Sequence, residues 1–166
     1  MAVNTANILK GFHDATKAVG AKVISSDFAL EIEGFEAAWL LCKQAPHPVI
    51  APQGEIEIAG PLGMMMYQPQ QVRTAFQGPI TLTETRAGSV DTLLLNILRS
   101  GGTFDGKLYE GTPQKFIRYR RVQDCFLVLD VGDRNWDDRS TVLNLSGTMF
   151  GSFYGEIISG NSTDYR

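Results

Sequence analysis

The chain has 166 residues, 43% apolar and 20% charged, close to an average soluble domain; this favours one globular unit with a core that needs no disulfide or metal staples. Fifteen Lys and Arg against eighteen Asp and Glu give a net charge of -3, which excludes the strongly basic balance of a dedicated nucleic-acid-coating protein. No apolar run approaches the ~20 residues of a membrane-spanning helix, residues 1–10 carry no basic leader or apolar secretory core, and Cys42 and Cys125 lie far apart, so the sequence predicts a chain folded in a cytoplasm with two reduced thiols and no stable membrane insertion.

Residues 4–18 place Ile8, Leu9, Phe12 and Ala15 at near-helical spacing around Gly11 and predict a short helix or arm. Residues 27–33 switch to period two, Phe28, Leu30 and Ile32 opposing Ala29, Glu31 and Glu33, and Gly34 closes this half-buried strand. The apolar residues 35–43 predict a second strand. A loop follows over residues 44–53, with Pro46, Pro48 and Pro52. Residues 55–59 alternate Ile56 and Ile58 with Glu55 and Glu57, a strand pattern. Residues 60–69 form a segment bounded by Gly and Pro, centred on Met64, Met65, Met66 and Tyr67. Residues 70–84 resume extended structure, and Pro79 inside them argues for a bulge or an edge because it cannot donate to a ladder.

Residues 89–99 carry the strongest helical pattern. Val90, Leu93, Leu94, Ile97 and Leu98 form one stripe, Ser89 is the expected N-cap, Asp91 lies in the positive first turn, and Gly101 and Gly102 supply the stop. A loop is expected over residues 102–114, then an extended segment over 115–131 buried on both faces. A polar turn at 132–139 precedes strands at 141–147 and 152–158, and a frayed tail at 159–166. Strands, one helix, then strands again predict a mainly β (α+β) fold: an antiparallel β-sandwich or partial barrel with one flanking helix and an N-terminal arm. In one domain spanning 1–166, the arm takes 1–26, the core 27–158 and the tail 159–166.

Chemistry-bearing motifs fail on inspection. Residues 101–107 have the glycine spacing of a phosphate loop, but Leu108 stands where a magnesium-binding hydroxyl belongs and the segment follows a helix. Asp133, Asn135 and Asp137 have the spacing of a calcium loop, yet Asp138 replaces its glycine and Asn144 its bidentate glutamate, so a solvated turn paired with Arg134 and Arg139 is expected. His13 and His47 are the only histidines, and Cys42 with His47 gives two zinc ligands at most. The sequence assigns no catalytic, metal or cofactor residues. Two segments read as contact surfaces instead. Residues 115–121 interleave Lys115, Arg118, Arg120 and Arg121 with Phe116 and Tyr119; in an acidic chain this predicts pairing with acids of the same or a neighbouring chain before it predicts stacked bases. Met64, Met65, Met66 and Tyr67 predict a partner surface, since methionine is a soft and adaptable contact residue.

This order of elements resembles the tail-tube protein of contractile bacteriophage tails, a family whose fold is shared with the type VI secretion tube protein. The resemblance rests on the strand at 28–34, the proline turn at 46–52, residues 54–60 and 76–84, the single helix at 89–99, the extended 115–131 and a closing pair ending at Ile158. It implies a non-enzymatic virion protein with six subunits per ring and rings stacked into a hollow tube. Such a tube is assembled in the host cytoplasm, works with sheath, baseplate and tail-terminator proteins, and conducts DNA without binding it. The resemblance also implies that residues 60–71, including Met64 to Tyr67, join successive rings, with the N-terminal arm and C-terminal tail as further contacts. An acidic bore makes Glu31, Glu33, Glu55, Glu57 and Glu84 candidates to face the lumen; Arg118, Arg120 and Arg121 are expected on the outer or inter-subunit surface. Rival readings are another contractile-injection tube, a terminator or baseplate ring, a small β-barrel enzyme, or a monomeric binding module.

Overall fold

The computed structural model describes residues 5–164. It is mostly β, with helix α1 (Thr5–Ala18) standing off the body and no residue of it buried. Strand β1 (Phe28–Ile32) follows as expected, burying Leu30 and Ile32. The predicted second strand over 35–43 is instead a 3-10 turn, Glu36–Leu40, leading into the short β2 (Cys42–Gln44). Only Ala38 in that turn is buried. The apolar run therefore folds tightly over one end of the sheet rather than joining its middle.

Residues 51–73 form a two-stranded arm. In it β3 (Ala51–Pro52) pairs with β6 (Val72–Arg73), and β4 (Glu55–Ala59) pairs with β5 (Met65–Pro69). The predicted loop at 44–53 thus ends in a strand, and most of the methionine segment is a strand too. β7 (Ala75–Thr83) re-enters the body and pairs along its whole length with β10 (Asn144–Ser152). β2 covers the other side of β7 only at Thr81 and Leu82, so Pro79 sits where that side is open, and the edge expectation holds. Pro46 closes over this edge, lying against Gly78 where a Cβ would come within 2.4 Å.

Helix α2 (Ser89–Arg99) matches its prediction in extent and buries Val90, Leu93 and Ile97, while Leu98 is exposed. Its cap differs. Gly88 occupies the N-cap in a left-handed conformation, and the Glu84 carboxylate reaches across to accept from the amides of Val90 at 3.0 Å and Asp91 at 3.1 Å. Two carboxylate oxygens beside free first-turn amides satisfy more donors than the Ser89 hydroxyl could from its own position.

The main departure lies at residues 102–114, where the structure has a strand, β8 (Phe104–Gly111), between β1 and β9 (Phe116–Leu129). Asp105, Gly106, Lys107 and Glu110 give it the composition of a loop. Ladder bonds on both sides and charge pairing at Glu110 make those residues compatible with a central strand. β9 is long, as expected, but one of its faces is open: Phe126 and Val128 point to solvent while Val122 and Cys125 are buried. The two closing strands merge into the single β10, and only Ile157–Ser159 remains as β11, paired with β9. Gly147 and Gly151 suggested breaks because glycine usually punctuates strands. Here they allow close approach: a Cβ on Gly147 would lie 2.0 Å from the Val128 carbonyl oxygen, and one on Gly151 2.5 Å from Cys125 Sγ. The tail does not fray at once, since Asn161 accepts from the Phe116 amide and donates to the Gln114 carbonyl at 2.7 Å; residues 165–166 and 1–4 lie outside the described residues.

The strand order β1-β8-β9-β10-β7-β2, antiparallel throughout, curls into a nearly closed barrel around Leu30, Ile80, Leu82, Val122 and Met149, with α2 packed on the same core. Both cysteines are unpaired. Burial pushes the Cys125 thiol up to about 12 and the Cys42 thiol up to about 11, so neither is a reactive thiolate.

Candidate assembly surface

The β4–β5 arm is set by its sequence alternation, but the burial expected of that alternation is missing. All ten residues of the two strands are exposed. Register pairs Ile58 with Met66 and Ile56 with Gln68, whereas Glu57 faces Tyr67 and Ala59 faces Met65. The pleat therefore divides the methionine run: Met64 and Met66 join Ile56 and Ile58 on an apolar side, and Met65 and Tyr67 share the other side with Glu55 and Glu57. At the tip, Leu62 is fully exposed with φ 56°, followed by Gly63 at φ 79°, and the Gly60 amide donates to the Met64 carbonyl at 2.7 Å. At the base, the Gln70 side chain donates to the Glu55 carbonyl at 3.0 Å. A lone two-stranded ribbon is marginal in water, and this one leaves Ile56, Ile58, Met64 and Met66 uncovered on one side alone.

The basic run divides between faces as well. Arg120 Nη1 and Arg118 Nε donate to the two carboxylate oxygens of Glu110, at 2.8 Å and 2.7 Å. Glu110 is only 6% exposed. Burial alone would raise its pKa, but hydrogen bonds from both guanidiniums, and then their charges, hold it below the usual carboxylate value. Pairing with acids of the same chain thus holds for Arg118 and Arg120, which line an open cavity of about 710 Å3 with Phe28, His47 and Leu108. Arg121 belongs to the opposite face, across from Lys107. Its Nε is buried without a hydrogen-bond partner. On this face Tyr109, Phe116 and Tyr119 form a ring cluster with centroids 4.8–5.7 Å apart.

The acidic candidates are scattered. Glu31 lies 3.9 Å from Lys107 Nζ and accepts from the Tyr109 hydroxyl at 3.5 Å, and Glu84 is occupied in capping α2. Glu33 is exposed beyond β1, and Glu55 and Glu57 are exposed on the arm. Asp133, Asn135 and Asp137 lie in the exposed loop between β9 and β10, which is held by Asn135 and Thr141 hydrogen bonds rather than by the expected arginine pairs. Among the described residues, no group of three His, Cys, Asp or Glu side chains could hold a metal ion.

Two further apolar features are exposed. Phe126 and Phe150 stack at 5.0 Å on the open face of β9 and β10; alternation assigned Phe126 to a strand buried on both faces, and Phe150 fell between the two predicted closing strands. Helix α1 exposes Ile8, Leu9 and Phe12, a stripe that would ordinarily mean packing on the chain's own core. A two-sided apolar pattern signals burial, and it cannot distinguish burial within a chain from burial between chains.

No family model and no curated protein sequence matches the chain. Solved structures do. One is a chain of the sheath-tube complex, in its extended state, of PVC, an extracellular contractile injection system: TM-score 0.55 and 10% identity, covering 88% of this chain and 96% of that one. The chain shares its fold with that component of a contractile injection system. The tube-terminating cap of the anti-feeding prophage AFP matches at TM-score 0.55 and 11% identity, covering 85% of this chain and 93% of that one. The extended-state sheath/tube terminator of PVC matches at 0.53 and 10%, covering 86% and 99%. At these identities the likeness is one of fold.

Proposed function

We propose that the chain is the tube subunit of a contractile phage tail, assembling into hexameric rings that stack into a conduit for DNA, in a virion assembled in the host cytoplasm. The observation that carries this reading is the arm: a hydrogen-bonded hairpin with Ile56, Ile58, Met64 and Met66 uncovered, on a fold shared with tube-complex and terminator components. Apolar area of this kind is removed from water when the arm lies against an adjacent ring. A heterologous contact also repeats without closing, as a stacked tube requires. Met64 to Tyr67 and Arg121 are the contact residues, and Glu33, Glu55 and Glu57, with carboxylates exposed, are candidates to face the bore. Arg118 and Arg120 serve the fold through Glu110. A non-enzymatic role accords with neighbours that are tube-complex and terminator components.

The same likeness extends to a tube-terminating cap and a sheath/tube terminator, so a terminator ring is the second reading. Electron microscopy of the purified chain over a concentration series separates them. Hollow tubes of uniform bore support the tube subunit, rings that never elongate support the terminator, and a monomer at all concentrations overturns both.

A further inference from the structure

Trp136 is 96% exposed, in a stretch of 14 residues between β9 and β10 that has no regular structure. Loops of that length in compact proteins are uncommon and are usually either functional or disordered linkers. This one is internally braced around the indole: the Asp137 amide donates to Asn135 Oδ1 at 3.0 Å, the Asp138 amide to the Asn135 carbonyl at 3.2 Å, and the Thr141 hydroxyl to Asp138. Trp136 is therefore presented to solvent by a hydrogen-bonded turn. Tryptophan is one of the residue types enriched among those that dominate interface energetics.

A matching cavity lies toward the far end of the same sheet. It has a volume of about 280 Å3 and is walled by Pro46, Pro48, Val49, Phe76 and Phe150, with Arg73 at its edge. The loop meets β10 at Asn144 and the cavity meets it at Phe150, so roughly 20 Å of strand separates knob from hole within one chain. Charge is complementary as well. Residues 130–143 hold four aspartates against two arginines, whereas Arg73 and His47 are the titratable lining groups and neither is an acid.

We infer that Trp136 of one copy seats in the Pro46–Pro48–Phe76–Phe150 cavity of the next, with Arg73 of the receiving copy facing the acidic loop and the indole. The occupant is a second copy of this chain. Because knob and hole sit toward opposite ends of one sheet, the contact is head-to-tail and propagates. The indole gains proline and aromatic walls plus a guanidinium within cation–π reach, and the stacked Phe126 and Phe150 continue the apolar surface beyond the rim. This inference rests on the self-assembly reading, and it adds a contact that the hairpin arm does not supply.

The test uses the full chain with Trp39→Phe, leaving Trp136 as the one indole, and follows fluorescence as assembly is tracked by sedimentation. Emission is expected to move to shorter wavelength in step with assembly. Trp136→Ala and, separately, Arg73→Glu are expected to raise the concentration needed for assembly about tenfold or more, with the melting temperature of the unassembled subunit unchanged; Trp136→Phe recovers most of the loss. Assemblies that form with water-exposed Trp136 emission, or Trp136→Ala assembling at the wild-type concentration, overturn the inference and leave the tube reading standing. A chain that stays monomeric at every concentration overturns both.

Discussion

Glu110 and Arg120 meet at 2.8 Å on the core-facing side of the sheet, where register places Glu110 beside Phe28 and Arg120 beside Leu108. The Glu110 carboxylate is saturated by two guanidiniums of very different exposure, since the Arg120 side chain is nearly buried and the Arg118 side chain is 44% exposed. Glu110→Ala leaves Arg120 charged and unpaired at a buried site, so it is expected to cost about 3–5 kcal/mol. Arg118→Ala removes a partner that water can replace and is expected to cost about 1 kcal/mol or less. Urea unfolding of the two variants measures the difference; equal costs would refute the division between them.

Acid should weaken the fold in two stages. His47 is held below its ordinary value of 6.5, by burial first and then by Arg120 and Arg118, with Glu110 opposing. The unfolded chain therefore takes up that proton first, and stability begins to fall below about pH 6.5. Glu110 and Glu84 are both held below 4.5; in each, burial acts the other way and is outweighed, in Glu110 by the two arginines and in Glu84 by the amides of Val90, Thr85 and Asp91. Their contribution is present above 4.5 and is lost as pH falls through their lowered folded values. Unfolding curves across pH 3–8 check this, on the pH scale of ordinary carboxylates and histidine. His47→Gln is expected to remove the upper stage, and Glu110→Gln to shrink the lower one.

Gly147 and Gly60 make a matched pair of substitutions. A Cβ at Gly147 would lie 2.0 Å from the Val128 carbonyl oxygen and 2.6 Å from the Leu129 Cα, both backbone atoms of the paired strand. At Gly60 the closest atom is Met64 Cε at 2.4 Å, the end of an exposed and flexible side chain, and φ is an ordinary -118°. Gly147→Ala is expected to cost about 3 kcal/mol or more, because two strands must part, and Gly60→Ala less than about 1 kcal/mol. Thermal unfolding of both variants decides it.

Replacing Met64, Met65 and Met66 with serine removes apolar contact area and no core residue, since all three are exposed. The subunit is expected to keep its melting temperature while elongation weakens strongly, as measured by tube length in micrographs. Because Met64 and Met66 share the side with Ile56 and Ile58, the pair Met64→Ser and Met66→Ser should reproduce most of the effect and Met65→Ser alone little of it. A fall in melting temperature of the unassembled triple variant would show that the arm packs on its own subunit.

The elements with one clear period were legible in the amino-acid sequence: β1, β4, the long β9 and helix α2 each lie within a few residues of the predicted span. The antiparallel, glycine-punctuated class of fold was legible there too, as was the pairing of Arg118 and Arg120 with an acid, Glu110 of the same chain. Only tertiary structure decided that Phe104–Gly111 is a strand, because its Asp, Lys and Glu are tolerable in a central strand only once β1 and β9 satisfy its backbone and two arginines satisfy Glu110. Only tertiary structure turned Gly147 and Gly151 from strand ends into points of close approach. It likewise decided that the alternations at Ile56–Ile58 and Phe126–Val128 face water in the single chain. The reason is the same each time: periodicity records which side chains share a face, and what lies against that face is set by residues distant in sequence or belonging to another chain.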